Sequence, residues 1–297
     1  MIKHLRELLE LSRGKGKKLA VAVAQDSVVL KAVAEAVKED IVVPILVGDE
    51  KLIKEEAEKA GVDLKGYEIV HAEGIEEAAN KAVELAAKGE ADLLMKGKLQ
   101  TAQIMRTVLK EEYGLRTGRT MCMVSVFEIP DFPRLLILTD AGMTLYPDLK
   151  QKLDLIENAI MVARVIGIET PKVGLVSAVE TVNPKLQATV DAALIAKMAD
   201  RKQIKGAIID GPFALDNVVS KEAAEHKGIV SPVAGEADII VTPNIDAGNV
   251  LYKALIFLAK AKSASTIMGA KIPIVLTSRA DSDETKLYSI ALTAALS

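Results

Sequence analysis

Short runs of aliphatic and β-branched residues alternate, almost from end to end, with longer stretches in which apolar residues recur every three or four positions. The short runs predict strands at 19–24, 41–47, 91–95, 121–127, 135–138, 173–177, 206–210, 239–242 and 274–276. Helical spacing covers 27–38, 51–60, 75–88, 149–166, 184–199 and 250–262, and residues 1–12 form an amphipathic start. Strands that are apolar without a break, alternating with helices, predict parallel sheets covered on both faces. The fold class expected is therefore α/β. Around Pro130-Asp131-Phe132-Pro133 two strands follow one another with no helix between them, the mark of a hairpin or of entry into a second domain.

Composition sharpens this. A chain of 297 residues, 50% hydrophobic and 27% charged, has material for one large or two modest domains. A net charge of -3 with no Trp, four Phe and five Tyr gives neither the basic surface nor the stacking platforms of a nucleic-acid binder. The single cysteine, Cys122, excludes an internal disulfide framework, and three scattered histidines (His4, His71, His226) make no Cys/His metal cluster. A reducing cytoplasm fits this usage. The start lacks the continuous apolar stretch of a signal peptide and no run reaches membrane-span length, so a soluble chain without membrane contact is expected.

In open parallel sheets ligands bind beyond the carboxyl ends of the strands, where loops lead into helix N-termini. Those places read Lys96-Gly97-Lys98, Thr139-Asp140-Ala141-Gly142, Asn183-Pro184, Asp210-Gly211-Pro212, Asn244 through Asn249, and Thr277-Ser278-Arg279. Ser278 and Arg279 leave a buried strand just before a helix, where backbone amides and a guanidinium fork suit an anion. Asp281 and Glu284 read first as a capping box for that helix. Residues 244–249 read as a loop in which Gly248 takes positive φ and Asp246 or Asn249 serves as ligand contact or helix cap, with Tyr252 and Lys253 one turn later. Asn183 reads as a helix cap before proline, and Asp210 as either a turn residue or a functional carboxylate. Lys96-Gly97-Lys98 lacks the full phosphate-loop spacing, and no GxGxxG occurs. Cys122, between Met121 and Met123, reads as core.

Together these motifs resemble the phosphate acetyl/butyryltransferases. The resemblance is carried by LLMKGKLQT (93–101), GLRTGR (114–119), PRLLILTDAGMTLYPDLK (133–150), VETVNPKLQATVDAALIAKMADR (179–201), IKGAIIDGPFALD (204–216), KGIVSPVAGEADI (227–239), PNIDAGNVLYK (243–253) and VLTSRADSDETKLYSIAL (275–292), in that order. It is nearest in pattern to the butyryl branch. It implies the fold of the isocitrate and isopropylmalate dehydrogenases: domains at 1–127 plus 271–297 and at 128–270, with the active cleft between them. It also implies a homodimer or higher homo-oligomer, coenzyme A thioester and phosphate as substrates, and no tightly bound cofactor or metal.

By the same match, Ser278 and Arg279 stand at the reacting phosphate. Lys96, Gly97 and Thr101 belong to a loop facing the cleft, and residues 244–253, with Asn244, Asp246, Gly248, Asn249 and Lys253, form its second wall. Arg106 matches a family arginine with a one-residue shift. The acetyl branch carries an Asp seven residues after its Ser, where this chain has Thr285. Glu284 or Asp283 is then the expected base, unless no side-chain base is used. Phosphate would attack the thioester carbonyl directly, with no acyl-enzyme. Rivals are a metal- and nicotinamide-dependent hydroxyacid dehydrogenase of the same fold, an acyltransferase drawing on acyl-carrier protein, and a non-catalytic binding module.

Overall fold

The computed structural model describes residues 1–278 and 281–297 and divides into two compact units. The first holds Leu5–Gly118 and Ser263–Ser297; the second holds Met1–His4 and Arg119–Lys262. The chain thus passes between units at 118/119 and 262/263, where the resemblance implied 127/128 and 270/271.

The first unit runs α1 (Glu7–Ser12), β1 (Lys17–Ala22), α2 (Ser27–Lys38), β2 (Val42–Gly48), α3 (Glu50–Ala60), β3 (Glu68–His71), α4 (Gly74–Ala87), β4 (Leu93–Lys96) and α5 (Thr101–Val108). The second unit follows with β5 (Cys122–Glu128), β6 (Leu136–Thr139), α6 (Leu149–Val165), β7 (Lys172–Val176), α7 (Gln187–Asp200), β8 (Ile208–Phe213), α8 (Leu215–Val219), α9 (Lys221–His226), β9 (Ile239–Val241) and α10 (Ile245–Lys253). The chain then returns to the first unit through β10 (Lys262–Met268), β11 (Ile274–Val275) and α11 (Asp283–Leu296).

In the first unit the strands lie in the order β3-β2-β1-β4-β11-β10, parallel except for β10 against β11. In the second the order is β5-β6-β9-β7-β8, again parallel except at one end, where β5 pairs antiparallel with β6. That pairing, through Ser125 against Leu138, ties β5 to the second unit and moves the boundary upstream. Leu93, Leu94 and Met95 of β4 and Leu19 through Ala22 of β1 are fully buried, as strands covered on both faces must be.

Local chemistry explains the best-read helices. Asp26 caps α2 by accepting the amide hydrogens of Val28 and Val29, and Val29, Leu30, Ala32, Val33 and Ala36 form its buried face. Asp49 caps α3, which ends at Gly61 in the left-handed conformation. In the second unit Lys152 of α6 and Asp191 of α7 form a buried ion pair, 2.6 Å apart.

Several expectations are corrected. The helix expected over 250–262 begins earlier, at Ile245, ends in a π-turn at Ala254–Leu258, and gives way to strand β10. That strand was missed because KSASTIM lacks a long aliphatic run; its buried Ser263, Ser265 and Thr266 are small polar residues on a sheet, and the Ser265 amide donates to Ser289 Oγ at 3.0 Å. Strand β3 and helix α5 also went unread. Asn183 does not cap α7: its side chain accepts from the Lys185 amide in a turn before the helix, whose first residue is Gln187.

Candidate active site

At the carboxyl end of β1, Val23 takes φ +58°, a left-handed conformation rare for a β-branched residue. The loop after β4 closes on it: the Gly97 amide donates to the Ala22 carbonyl at 2.9 Å and the Lys98 amide to the Val23 carbonyl at 2.8 Å. A Cβ at Gly97 would lie 2.2 Å from the Val23 oxygen, so only glycine allows the approach. Lys96 is buried, its ammonium donating to the Leu99 carbonyl at 3.2 Å. Thr101 opens α5, and Arg106 stands exposed on its last turn.

Next to β4 in the same sheet, β11 leads to Thr277 and Ser278. Arg279 lies outside the described residues. The Ser278 amide donates to Asp281 Oδ2 at 2.6 Å, and the Asp281 amide reaches back to the Ser278 carbonyl at 3.3 Å. The capping box expected of Asp281 and Glu284 is not the one formed: Ser282 is the cap, accepting the Thr285 amide hydrogen at 3.1 Å. Asp281 closes the turn instead. Burial pushes its carboxyl up from the ordinary range, against the pull of the Ser278 amide, Lys286 and Lys96. Sequence reading passed over Lys286, which is buried and donates to the carbonyls of Ser278 and Asp281. Its only signal was a lysine in the first turn of a helix, where a cation is unfavourable. Glu284 accepts from Tyr288 Oη at 2.9 Å and lines a groove with Arg6, Lys31 and Tyr67.

The second unit builds its own strand-end assembly around Asp140, which follows β6. The carboxylate is buried and accepts four amide hydrogens, from Met123, Gly142 and Met143 at Oδ1 and from Thr144 at Oδ2. Burial raises its pKa while those four bonds oppose the rise. Residues 244–249 are not a loop but the cap and first turns of α10: Asn244 is the cap, accepting from the Ala247 amide at 3.0 Å. Neither Asp246 nor Asn249 caps the helix. Asn249 donates to the Ala141 carbonyl at 3.1 Å, and Asp246 is exposed within reach of Tyr146 Oη at 3.5 Å.

Gly248 is helical rather than positive in φ. It is needed for space, because a Cβ would lie 2.1 Å from the Asp140 carbonyl oxygen. Thr242 Oγ1 donates to that same carbonyl at 3.0 Å. Lys253 ends α10, exposed. Asp210 is not at a strand end: it lies within β8, its carboxylate accepting the Gly211 amide hydrogen at 2.8 Å. Cys122 is fully buried against Asn158 Nδ2, and burial pushes its thiol up to about 12. Among the described residues, no group of three or more His, Cys, Asp and Glu side chains converges as a metal site, and no helix is long and apolar enough to cross a membrane.

Known proteins match this chain over nearly its whole length. The model of the family described as "Phosphate acetyl/butaryl transferase" matches residues 3–80 and 71–294. The chain belongs to this family. It is 59% identical over 290 residues to a phosphate acetyltransferase of Thermotoga maritima, covering 98% of both chains. To a phosphate butyryltransferase of Clostridium acetobutylicum it is 52% identical over 295 residues, covering 99% of this chain and 98% of that one. Among solved structures, a branched-chain phosphotransacylase from Enterococcus faecalis superposes with a TM-score of 0.82 at 33% identity, over 94% of this chain and 98% of the other.

A 4-hydroxythreonine-4-phosphate dehydrogenase from Klebsiella pneumoniae, at TM-score 0.56 and 13% identity over 95% of this chain and 99% of that one, shares the fold alone. The α/β fold with mainly parallel sheets is as the resemblance implied, and the likeness to a dehydrogenase is one of fold. As a member of the family the chain is an enzyme, a phosphate acyltransferase.

Proposed function

We propose that the enzyme moves a short acyl group between coenzyme A and inorganic phosphate, with butanoyl-CoA + phosphate = CoA + butanoyl phosphate as its reaction. What carries the reading is the near-complete match to phosphate acyltransferases, combined with a strand-end turn at Ser278 flanked by buried Lys96 and Lys286. Two buried ammonium groups near one turn favour a dianionic substrate electrostatically. Acetyl transfer is the second reading, supported by the 59% identity to an acetyltransferase. One methylene in an apolar pocket discriminates by only about 1–3 kcal/mol, so neighbouring chain lengths compete.

In this scheme Ser278 and Arg279 hold phosphate, whose oxygen attacks the thioester carbonyl. The carbon–sulfur bond breaks, and coenzyme A leaves as thiolate. Lys96, Gly97, Thr101 and Arg106 are the first unit's candidates for substrate binding, and Asp210, Asn244, Asp246, Gly248, Asn249 and Lys253 are the second unit's. Glu284 is the side-chain base under this scheme. The reading includes a homodimer or higher oligomer in the cytoplasm. Exposed Val250, Phe257 and Leu258, along α10 and the π-turn that continues it, support self-association.

The deciding experiment measures thiol release from acetyl-, propionyl-, butyryl- and isobutyryl-CoA, with and without phosphate, and repeats it with acyl-carrier protein as donor. Release that needs phosphate and prefers the CoA donor supports the proposal. Release independent of phosphate, or confined to the carrier protein, overturns it. Arg279→Ala should lower phosphate-dependent turnover by about two to three orders of magnitude.

A further inference from the structure

Lys286 is the fourth residue of α11 and is only 3% exposed. Both facts count against a lysine: the first turn carries the positive end of the helix dipole, and a buried ammonium loses its hydration. Burial lowers its pKa, with Asp281, Asp26 and Asp283 opposing that shift. An apolar side chain would fill the space without this cost. The amine does what a hydrocarbon cannot. It donates to the Asp281 carbonyl at 2.6 Å and to the Ser278 carbonyl at 3.2 Å, the two residues that Asp281 already ties together through its own bonds to Ser278.

We propose that Lys286 is a positioning residue for phosphate: bonded to the carbonyls of Ser278 and Asp281, it fixes these two residues relative to each other and adds a positive charge beside Ser278. The proposal rests on the phosphate acyltransferase reading. A lysine whose role is confined to the stability of α11 would affect all substrates alike. One that fixes Ser278 affects phosphate selectively.

The test is steady-state kinetics on Lys286→Met, which keeps most of the length and loses donors and charge, and on Lys286→Gln, which keeps two N–H donors on a shorter stem and loses the charge. The KM for phosphate is expected to rise by about 10- to 100-fold in Lys286→Met while the KM for acyl-CoA stays within about twofold, and Lys286→Gln should fall between that variant and wild type. If Lys286→Met does not fold, Lys286→Gln carries the test: a raised phosphate KM with an unchanged acyl-CoA KM supports the role. Phosphate and acyl-CoA constants that move together, or do not move, overturn it. Wild-type enzyme without phosphate-dependent thiol release would instead overturn the functional reading beneath it.

Discussion

Asp281 Oδ2 lies 2.6 Å from the amide nitrogen of Ser278, so a half-buried carboxylate ties back to the residue that follows β11 and Thr277. The bond favours the charged form, but burial is the larger influence and raises the pKa. A raised carboxylate pKa means that the folded state holds its proton at pH values where the unfolded chain has lost it. This group's contribution to stability therefore falls as pH rises from the ordinary carboxylate pKa toward the folded one, then levels off. Asp281→Asn, which keeps an acceptor oxygen and cannot titrate, should gain stability relative to wild type between about pH 4 and pH 7. Urea unfolding at both pH values checks the sign. A difference that moves the other way would show that the Ser278 amide and Lys286 outweigh burial.

Gly248→Ala sets two effects against each other. Alanine favours a helix over glycine by about 1 kcal/mol, but the added methyl would sit 2.1 Å from the Asp140 carbonyl oxygen and 2.8 Å from Thr242 Oγ1. Backbone cannot yield as a side-chain tip would, so the clash wins. The variant should be less stable by about 1–3 kcal/mol, measured by thermal unfolding, with turnover reduced per folded molecule.

Cys122→Ala should retain turnover, because the proposed attack is by phosphate and the thiol is buried with its pKa pushed up to about 12. At pH 8 the thiolate would be on the order of one part in ten thousand, so native enzyme should resist thiol reagents that label it readily once unfolded. An acyl group trapped on Cys122 would replace the direct mechanism with a two-step one.

Glu284→Gln separates a base from a stabiliser of the helix start. As base, its loss should lower turnover in the direction that consumes free coenzyme A, most at pH below the thiol pKa of roughly 8.5, with the melting temperature held. As a carboxylate that accepts from Tyr288 and sits in the first turn of α11, its loss should cost about 0.3–1 kcal/mol of stability and leave the pH–rate profile in place. Profiles and melts on the same preparation distinguish the two.

The sequence by itself determined what depends on neighbours within a few residues. Asp26 and the apolar spacing of Val29, Leu30 and Val33 delimit α2 with no outside help, and unbroken apolar runs announced the buried strands. Motif order carried the family, and with it Ser278 as a residue to watch. The tertiary structure alone decided what depends on distant partners. Lys286, passed over in the sequence, gains its place only when the fold brings the Ser278 carbonyl to it. Gly248 read as a loop glycine of positive φ until Asp140, more than a hundred residues away in the chain, came within reach of its missing Cβ. Asp140 itself read as one more strand-end acid, because the Met123 amide of β5 reaches it only when β5 and β6 pair. Local rules report propensity and capping; close approach and burial of charge belong to the folded chain.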